Sequence, residues 1–82
     1  MTVKVRKPQD LQALYTRAIS DAAKQGISWS GDMRQGRGSG FGFEGSYIVD
    51  AEFITITVLK KPLLISKSRI EKEVMEYVNK AG

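Results

Sequence analysis

Two runs constrain this chain more than any other feature: FGFEGSYIVD, from Phe41 to Asp50, and EFITITVL, from Glu52 to Leu59. In both, residues of like character recur at every second position, the period of a β-strand and not of a helix. Phe41, Phe43, Tyr47 and Val49 share one face of the first run, and Gly42, Glu44, Ser46 and Ile48 share the other. In the second, Ile54, Ile56 and Val58 point one way and Phe53, Thr55, Thr57 and Leu59 the other. β-Branched and aromatic residues dominate both runs, as suits a pleated, half-buried surface. The break at Asp50-Ala51 is too short for a crossover, so the two strands are antiparallel neighbours. Gly45 marks a bulge or a close backbone approach. Ile27 to Ser30, ISWS, has the same alternation and reads as a third, short strand.

The apolar face of such a ribbon needs a cover, and the sequence supplies two helices. From Pro8 to Gln25, Leu11, Leu14, Tyr15, Ala18, Ile19 and Ala22 recur at helical spacing. Pro8 suits a first helical position, Asp10 suits the first turn, and Gly26 suits a left-handed stop. Lys60-Lys61-Pro62 ends the Glu52–Leu59 strand, and the apolar connection LLIS follows, packing against a helix or a sheet edge. Ser68 with Glu71 matches a capping box. The second helix then carries Ile70, Val74, Tyr77, Val78 and Ala81 on one face. Lys67–Glu71, Lys72–Glu76 and Glu76–Lys80 stand four apart on its outer face, at ion-pair spacing.

The expected architecture is a single α+β domain over residues 1–82, a two-layer sandwich in the order α-β-β-β-α. Both helices cover one face of a three-stranded antiparallel meander. Thr2 to Val5 can add a short edge strand. The far face carries Ser28, Ser30, Glu44, Ser46, Thr55 and Thr57, with Ile48, Phe53 and Leu59 as apolar exceptions.

Gly31 to Gly40 contains four of the eight glycines and reads as slack between strands. Two sharper readings of this region compete with that one. Gly40 to Gly45, GFGFEG, matches G-x-G-x-x-G, but that motif cradles phosphate only where it opens a helix, and here a strand continues. RQGRGSGFGF is similar to arginine–glycine RNA-binding segments. Phe41 and Phe43 are needed at strand spacing for the core, which leaves only Arg34 and Arg37 for such a role.

Composition removes several kinds of chemistry. With no cysteine and no histidine, disulfides, thiolate metal sites and the commonest general base are gone. The acids Asp32, Glu44, Asp50 and Glu52 form no pattern that suggests a shared proton or metal. No catalytic, cofactor-binding or metal-binding residue is therefore assigned, and an enzyme is not expected. No apolar run approaches the roughly 20 residues of a membrane helix. No apolar segment of a signal peptide follows the N-terminal charges. These points lead to the expectation of a cytoplasmic protein.

The formal net charge is +4. Lys4, Arg6 and Lys7 lie near the N-terminus, and Lys60, Lys61, Lys67 and Arg69 fall within ten residues of one another. If the fold unites them, they form a patch for a polyanion such as nucleic acid.

The ordered residues also carry a resemblance. WSGD at Trp29 to Asp32, FEGSYIV at Phe43 to Val49, VLKKPLLIS at Val58 to Ser66 and IEKEV at Ile70 to Val74 resemble the polyhydroxyalkanoic acid system family. These are small bacterial proteins encoded near polyester-storage genes. The resemblance runs from about Leu11 to the C-terminus. It implies an association with storage granules and implies no catalytic residue. A polyester surface calls for exposed apolar groups. Ile48, Phe53, Leu59, Leu63 and Leu64 are the candidates, with Ile65 beside them, and the sheet-face members equally suit a homodimer contact. The sequence thus points to a non-enzymatic interaction module, with a weak polyanion binder as the alternative.

Overall fold

The computed structural model describes the backbone of residues 1–81 and the side chains of residues 1–80. Its elements are β1 (Thr2–Arg6), α1 (Leu11–Lys24), β2 (Ser28–Gly31), β3 (Gln35–Gly40), β4 (Phe43–Val49), β5 (Phe53–Lys60) and α2 (Lys67–Ala81). The strands form one five-stranded sheet in the order β1-β5-β4-β3-β2, with every neighbouring pair antiparallel. The α+β class is as the sequence predicts, but the sheet has five strands and not three.

One added strand is the N-terminal segment. β1 lies on β5 with Val3 opposite Ile56 and Val5 opposite Ile54. The other overturns the reading of Gly31–Gly40 as slack. Gln35–Gly40 is an inner strand, paired with β2 through Trp29↔Gly38 and with β4 through Gly38↔Gly45. The turn before it is fixed by Asp32, whose Oδ1 accepts from the backbone N–H of Arg34 at 2.8 Å and of Gln35 at 3.0 Å. These two bonds hold the Asp32 carboxyl below the usual carboxylate range. Bare backbone is required at Gly36, where a Cβ would stand 2.5 Å from the Tyr47 hydroxyl.

The helix ends differ from the sequence pattern by a few residues. α1 begins after Asp10, not at Pro8, because the Asp10 side chain takes the free N–H of Ala13 at 2.9 Å and so acts as the cap. Gly26, at φ +73°, follows the helix as expected. α2 is capped by Ser66, whose Oγ accepts from the Arg69 N–H at 3.2 Å, in place of the predicted Ser68–Glu71 box. The pairs that close at spacing four are Arg17–Asp21 (3.7 Å) and Arg69–Glu73 (3.4 Å), and not the three expected on α2. The side chain of Ala81, assigned to the apolar face of α2, lies outside the described residues.

The tightest packing lies at one side of the sheet. Val3, Val5, Leu14, Ile54 and Val78 form a buried cluster, with Val3 only 2% exposed. Leu14 comes from α1 and Val78 from α2, so both helices press on the same face of β1 and β5. Burying each such side chain contributes about 1.5–3 kcal/mol. The helices are also joined directly, because the Tyr77 hydroxyl donates to Asp21 Oδ2 at 2.6 Å.

Burial, and next the Asp21 bond, push the Tyr77 phenol up to about 12, with Arg17 pulling more weakly the other way. The folded value lies above the unfolded value of about 10. The stabilisation is therefore complete below pH of about 10 and is lost as pH rises through about 12. Urea unfolding across that window should show the native chain losing stability relative to Tyr77→Phe. A flat difference between the two would remove Tyr77 as the source.

Candidate functional site

The β3–β4 hairpin closes through two residues, Phe41 and Gly42, between the paired Gly40 and Phe43. Both have positive φ, 54° at Phe41 and 81° at Gly42. That is the signature of a type I′ turn, whose twist matches the sheet. Glycine accepts this backbone freely. A bulky L-residue does so at a cost of about 1–2 kcal/mol. Phe41 is nevertheless 68% exposed, so its ring gains little burial to offset the strain. The period-two reading placed Phe41 beside Phe43 on the core face. Phe43 is half-buried, but Phe41 leaves the strand and points away from the core.

A second apolar segment lies next to this turn. A Cβ on Gly42 would stand 3.3 Å from Pro62 Cγ, so the β5–α2 connection abuts the hairpin end. The connection has a defined shape. Ile65 N–H donates to the Pro62 carbonyl at 3.2 Å, and Lys61 Nζ donates to the Ile65 carbonyl at 2.8 Å. Held this way, Leu63 is 95% and Leu64 100% exposed, while Ile65 is half-buried. Leu59 is also exposed and leads into this connection. Leu59, Leu63 and Leu64 therefore lie at the same end of the molecule as Phe41, where the hairpin turn meets the β5–α2 connection.

The other two apolar candidates lie elsewhere. Ile48 is exposed opposite Thr55 on the far face of the sheet. Phe53, at the start of β5, is covered by Lys4 Nζ at 4.5 Å and by the Arg6 guanidinium at 5.8 Å from its ring centre.

The basic residues divide the same way. Arg6 pairs with Phe53 and Thr2 with Thr57, so Lys4, Arg6 and Lys7 lie towards the beginning of β5. Lys60, Lys61, Lys67 and Arg69 lie at and beyond its end. Along β5, Lys60 stands roughly 16 Å from the level of Lys4 and roughly 23 Å from that of Arg6, at about 3.3 Å per residue. The first group is engaged with Phe53 and, through Lys7 Nζ, with the Asp50 carbonyl at 3.5 Å. The second lies beside the apolar tip. Arg37, one of the two arginines free for nucleic acid, pairs with Glu44 across the hairpin at 3.3 Å.

Behind the tip, a cavity of about 490 Å³ lies between the inner face of the sheet and the helices. Sequence patterning gave no sign of it. Tyr15, Trp29 and Tyr47 stand together on its wall, with ring centres 6.4 Å apart for Tyr15–Trp29 and 5.4 Å for Trp29–Tyr47. Tyr15 donates to the Gly31 carbonyl at 3.2 Å and Tyr47 to the Asp32 carbonyl at 2.5 Å. Burial pushes the Tyr47 phenol up, and the nearby indole N–H of Trp29 opposes this more weakly. That N–H is itself buried and makes no bond of good hydrogen-bonding geometry.

Neither family models, nor curated proteins, nor solved structures contain a match to this chain. No helix among the described residues is long and apolar enough to cross a membrane.

The strained turn makes a direct prediction. Phe41→Asn places the preferred Asn-Gly pair in the I′ turn and should raise unfolding stability by about 1 kcal/mol. A loss of stability in chemical denaturation would mean that the Phe41 ring is packed and not presented.

Proposed function

We propose that this protein is a non-enzymatic interaction module that docks on an apolar surface through the lysine-flanked tip of Phe41, Leu59, Leu63 and Leu64. The observation that carries this reading is Phe41, an exposed aromatic held at positive φ in a turn that abuts the loop carrying two leucines almost wholly solvent-accessible. A fold tolerates such strain where the side chain serves something outside the core. The surface of a polyester storage granule is the occupant favoured by the resemblance to the polyhydroxyalkanoic acid system family. Such a surface is extended and chemically uniform, so a convex apolar tip suits it better than a shaped pocket. Lys60, Lys61, Lys67 and Arg69 at the rim add attraction to anionic groups on a particle.

Burial of each leucine on docking is worth about 1.5–3 kcal/mol before the costs of association are subtracted. Self-association through the same tip, or through Ile48 on the far face, is the homodimer form of this reading. The polyanion alternative has two smaller basic clusters to work with, since β5 keeps them apart.

Sedimentation with polyhydroxyalkanoate particles tests the proposal. Replacing Leu63 and Leu64 together by Ser should reduce the bound fraction at least tenfold, since about 3 kcal/mol or more is removed. Binding of the native chain should survive an increase in salt. Binding that collapses with salt and ignores the leucines would transfer the function to the basic clusters.

A further inference from the structure

The two edges of the sheet are not alike. β2, at one edge, bonds to β3 through its even-numbered residues, in step with the Asp32 N–H to Gln35 carbonyl bond of 2.9 Å, so Trp29 and Gly31 turn their backbone groups outward. That edge is short and partly closed. The Gly31 carbonyl accepts from Tyr15 at 3.2 Å, and the Ile27 N–H donates to the Ala22 carbonyl at 2.9 Å. β1, at the other edge, bonds to β5 through its odd-numbered residues. The Val58 N–H donates to the Met1 carbonyl at 2.8 Å at one end, and the Lys7 N–H donates to the Glu52 carbonyl at 2.8 Å at the other. Thr2, Lys4 and Arg6 therefore turn their N–H and C=O groups away from the sheet, where these groups have no backbone partner among the described residues. All three residues are exposed. Such a row of free donors and acceptors is a template for one more strand.

The side chains around this edge specify the strand that fits. On the open face of the sheet β1 carries Lys4 and Arg6, and among the described residues neither has a carboxylate within ion-pair distance. Asp50, beside Lys7, is already engaged, since its Oδ1 accepts from the Glu52 and Phe53 N–H groups at 2.8 and 2.7 Å. On the other face α2 lies over β1, with Val78 packed against Val3 and Val5. Tyr77 is on the side of α2 that faces α1, to which it is bonded. Met75 falls on the opposite flank of the helix, above the free edge, and is 39% exposed. An added strand would thus meet cations on one face and an apolar side chain on the other. Glu71, one helical turn before Met75, disfavours an acid on the helix side. A second copy of β1 is a poor occupant, because antiparallel pairing of two such edges sets the cations of one copy against those of the other.

We infer that the outer edge of β1 is a docking site for an extended segment of a partner protein in which acidic and aliphatic residues alternate. Backbone bonds to Thr2, Lys4 and Arg6 pair the strands, the acids meet Lys4 and Arg6, and the aliphatic side chains cover Met75. The charges that keep a second copy away are the same ones that select the partner. This site is separate from the apolar tip, because it uses none of Phe41, Leu59, Leu63 and Leu64.

The test uses the full chain and a fluorescein-labelled peptide of alternating valine and glutamate, with a peptide of alternating valine and lysine as the control. By fluorescence anisotropy the first should bind, and the second at least about tenfold more weakly. Replacing Lys4 and Arg6 together by Glu should reverse that preference. Met75→Ala should weaken the glutamate peptide about fivefold. Amide hydrogen exchange locates the site. The Lys4 and Arg6 N–H groups should exchange freely in the chain alone and become protected with the peptide bound, whereas Val3 and Val5, already bonded to β5, should change little. If the double Glu variant fails to fold, exchange in the native chain decides. The Leu63, Leu64 double variant should bind the peptide as the native chain does, whatever its behaviour on particles. Equal affinity for the two peptides, no reversal in the folded double Glu variant, or unprotected Lys4 and Arg6 amides in the complex would each overturn the assignment. Protection of those amides that grows with protein concentration in the absence of peptide would overturn it in favour of a second copy.

Discussion

Every inward position of β3 is a glycine, and much of the molecule follows from that constraint. A sheet packs against helices through the side chains of its inner face. Where one inner strand offers none, the helices have nothing to interlock with, and close packing moves to another part of the sheet. Here it moves to β1 and β5, where Val3, Val5 and Ile54 meet Leu14 and Val78. The cavity remains over the strands between the two sides. Tyr47 can lean across Gly36 only because no Cβ stands there, and Trp29 packs against Tyr47 in turn. The aromatic wall and the missing side chains are two aspects of one arrangement.

The β3–β4 hairpin links this interior to the tip. Phe43 lines the cavity, while Phe41, two residues earlier, lies in the turn and faces solvent. Gly42 between them reverses the chain and lies against Pro62 of the next connection. The exposed leucines are thus held beside the turn by an ordered loop and by the Lys61–Ile65 bond, not by a flexible strand end. Presenting apolar side chains on a fixed frame lowers the entropy lost when they bind.

Elements whose side chains alternate or recur visibly were legible in the sequence. The β4–β5 hairpin, both helices and the glycine stop after α1 follow from period and capping chemistry. β3 did not, although QGRGSG has a strict period of two. Its alternation is glycine against polar residues, and a search for apolar alternation cannot register a face defined by missing side chains. Glycine also lowers strand propensity, so a propensity argument favours a loop. Phe41 was assigned to the wrong environment for a related reason. Phe-Gly-Phe fits a strand by spacing, and only the pairing of Gly40 with Phe43 reveals a two-residue turn. The separation of the basic groups depends on which end of β5 receives β1, and no local pattern encodes that. The aliphatic tip residues Leu63 and Leu64 were visible as candidates, but their association with Phe41 depends on that same turn.

A strand with glycine at three inward positions needs support from outside its own side chains. Each glycine costs roughly 0.5–1 kcal/mol relative to alanine, a large sum for a domain whose total stability is of order 5–15 kcal/mol. β3 is an inner strand, so its backbone is paired on both sides, by β2 and by β4. The turn leading into it is held at several points: by the Asp32 carboxylate, by Tyr15 on the Gly31 carbonyl, and by Tyr47 on the Asp32 carbonyl. Two of these anchors come from aromatic side chains on the cavity wall. The groups that shape the hollow therefore also secure the strand that creates it, so a substitution at Tyr15 or Tyr47 alters the wall and releases the strand together.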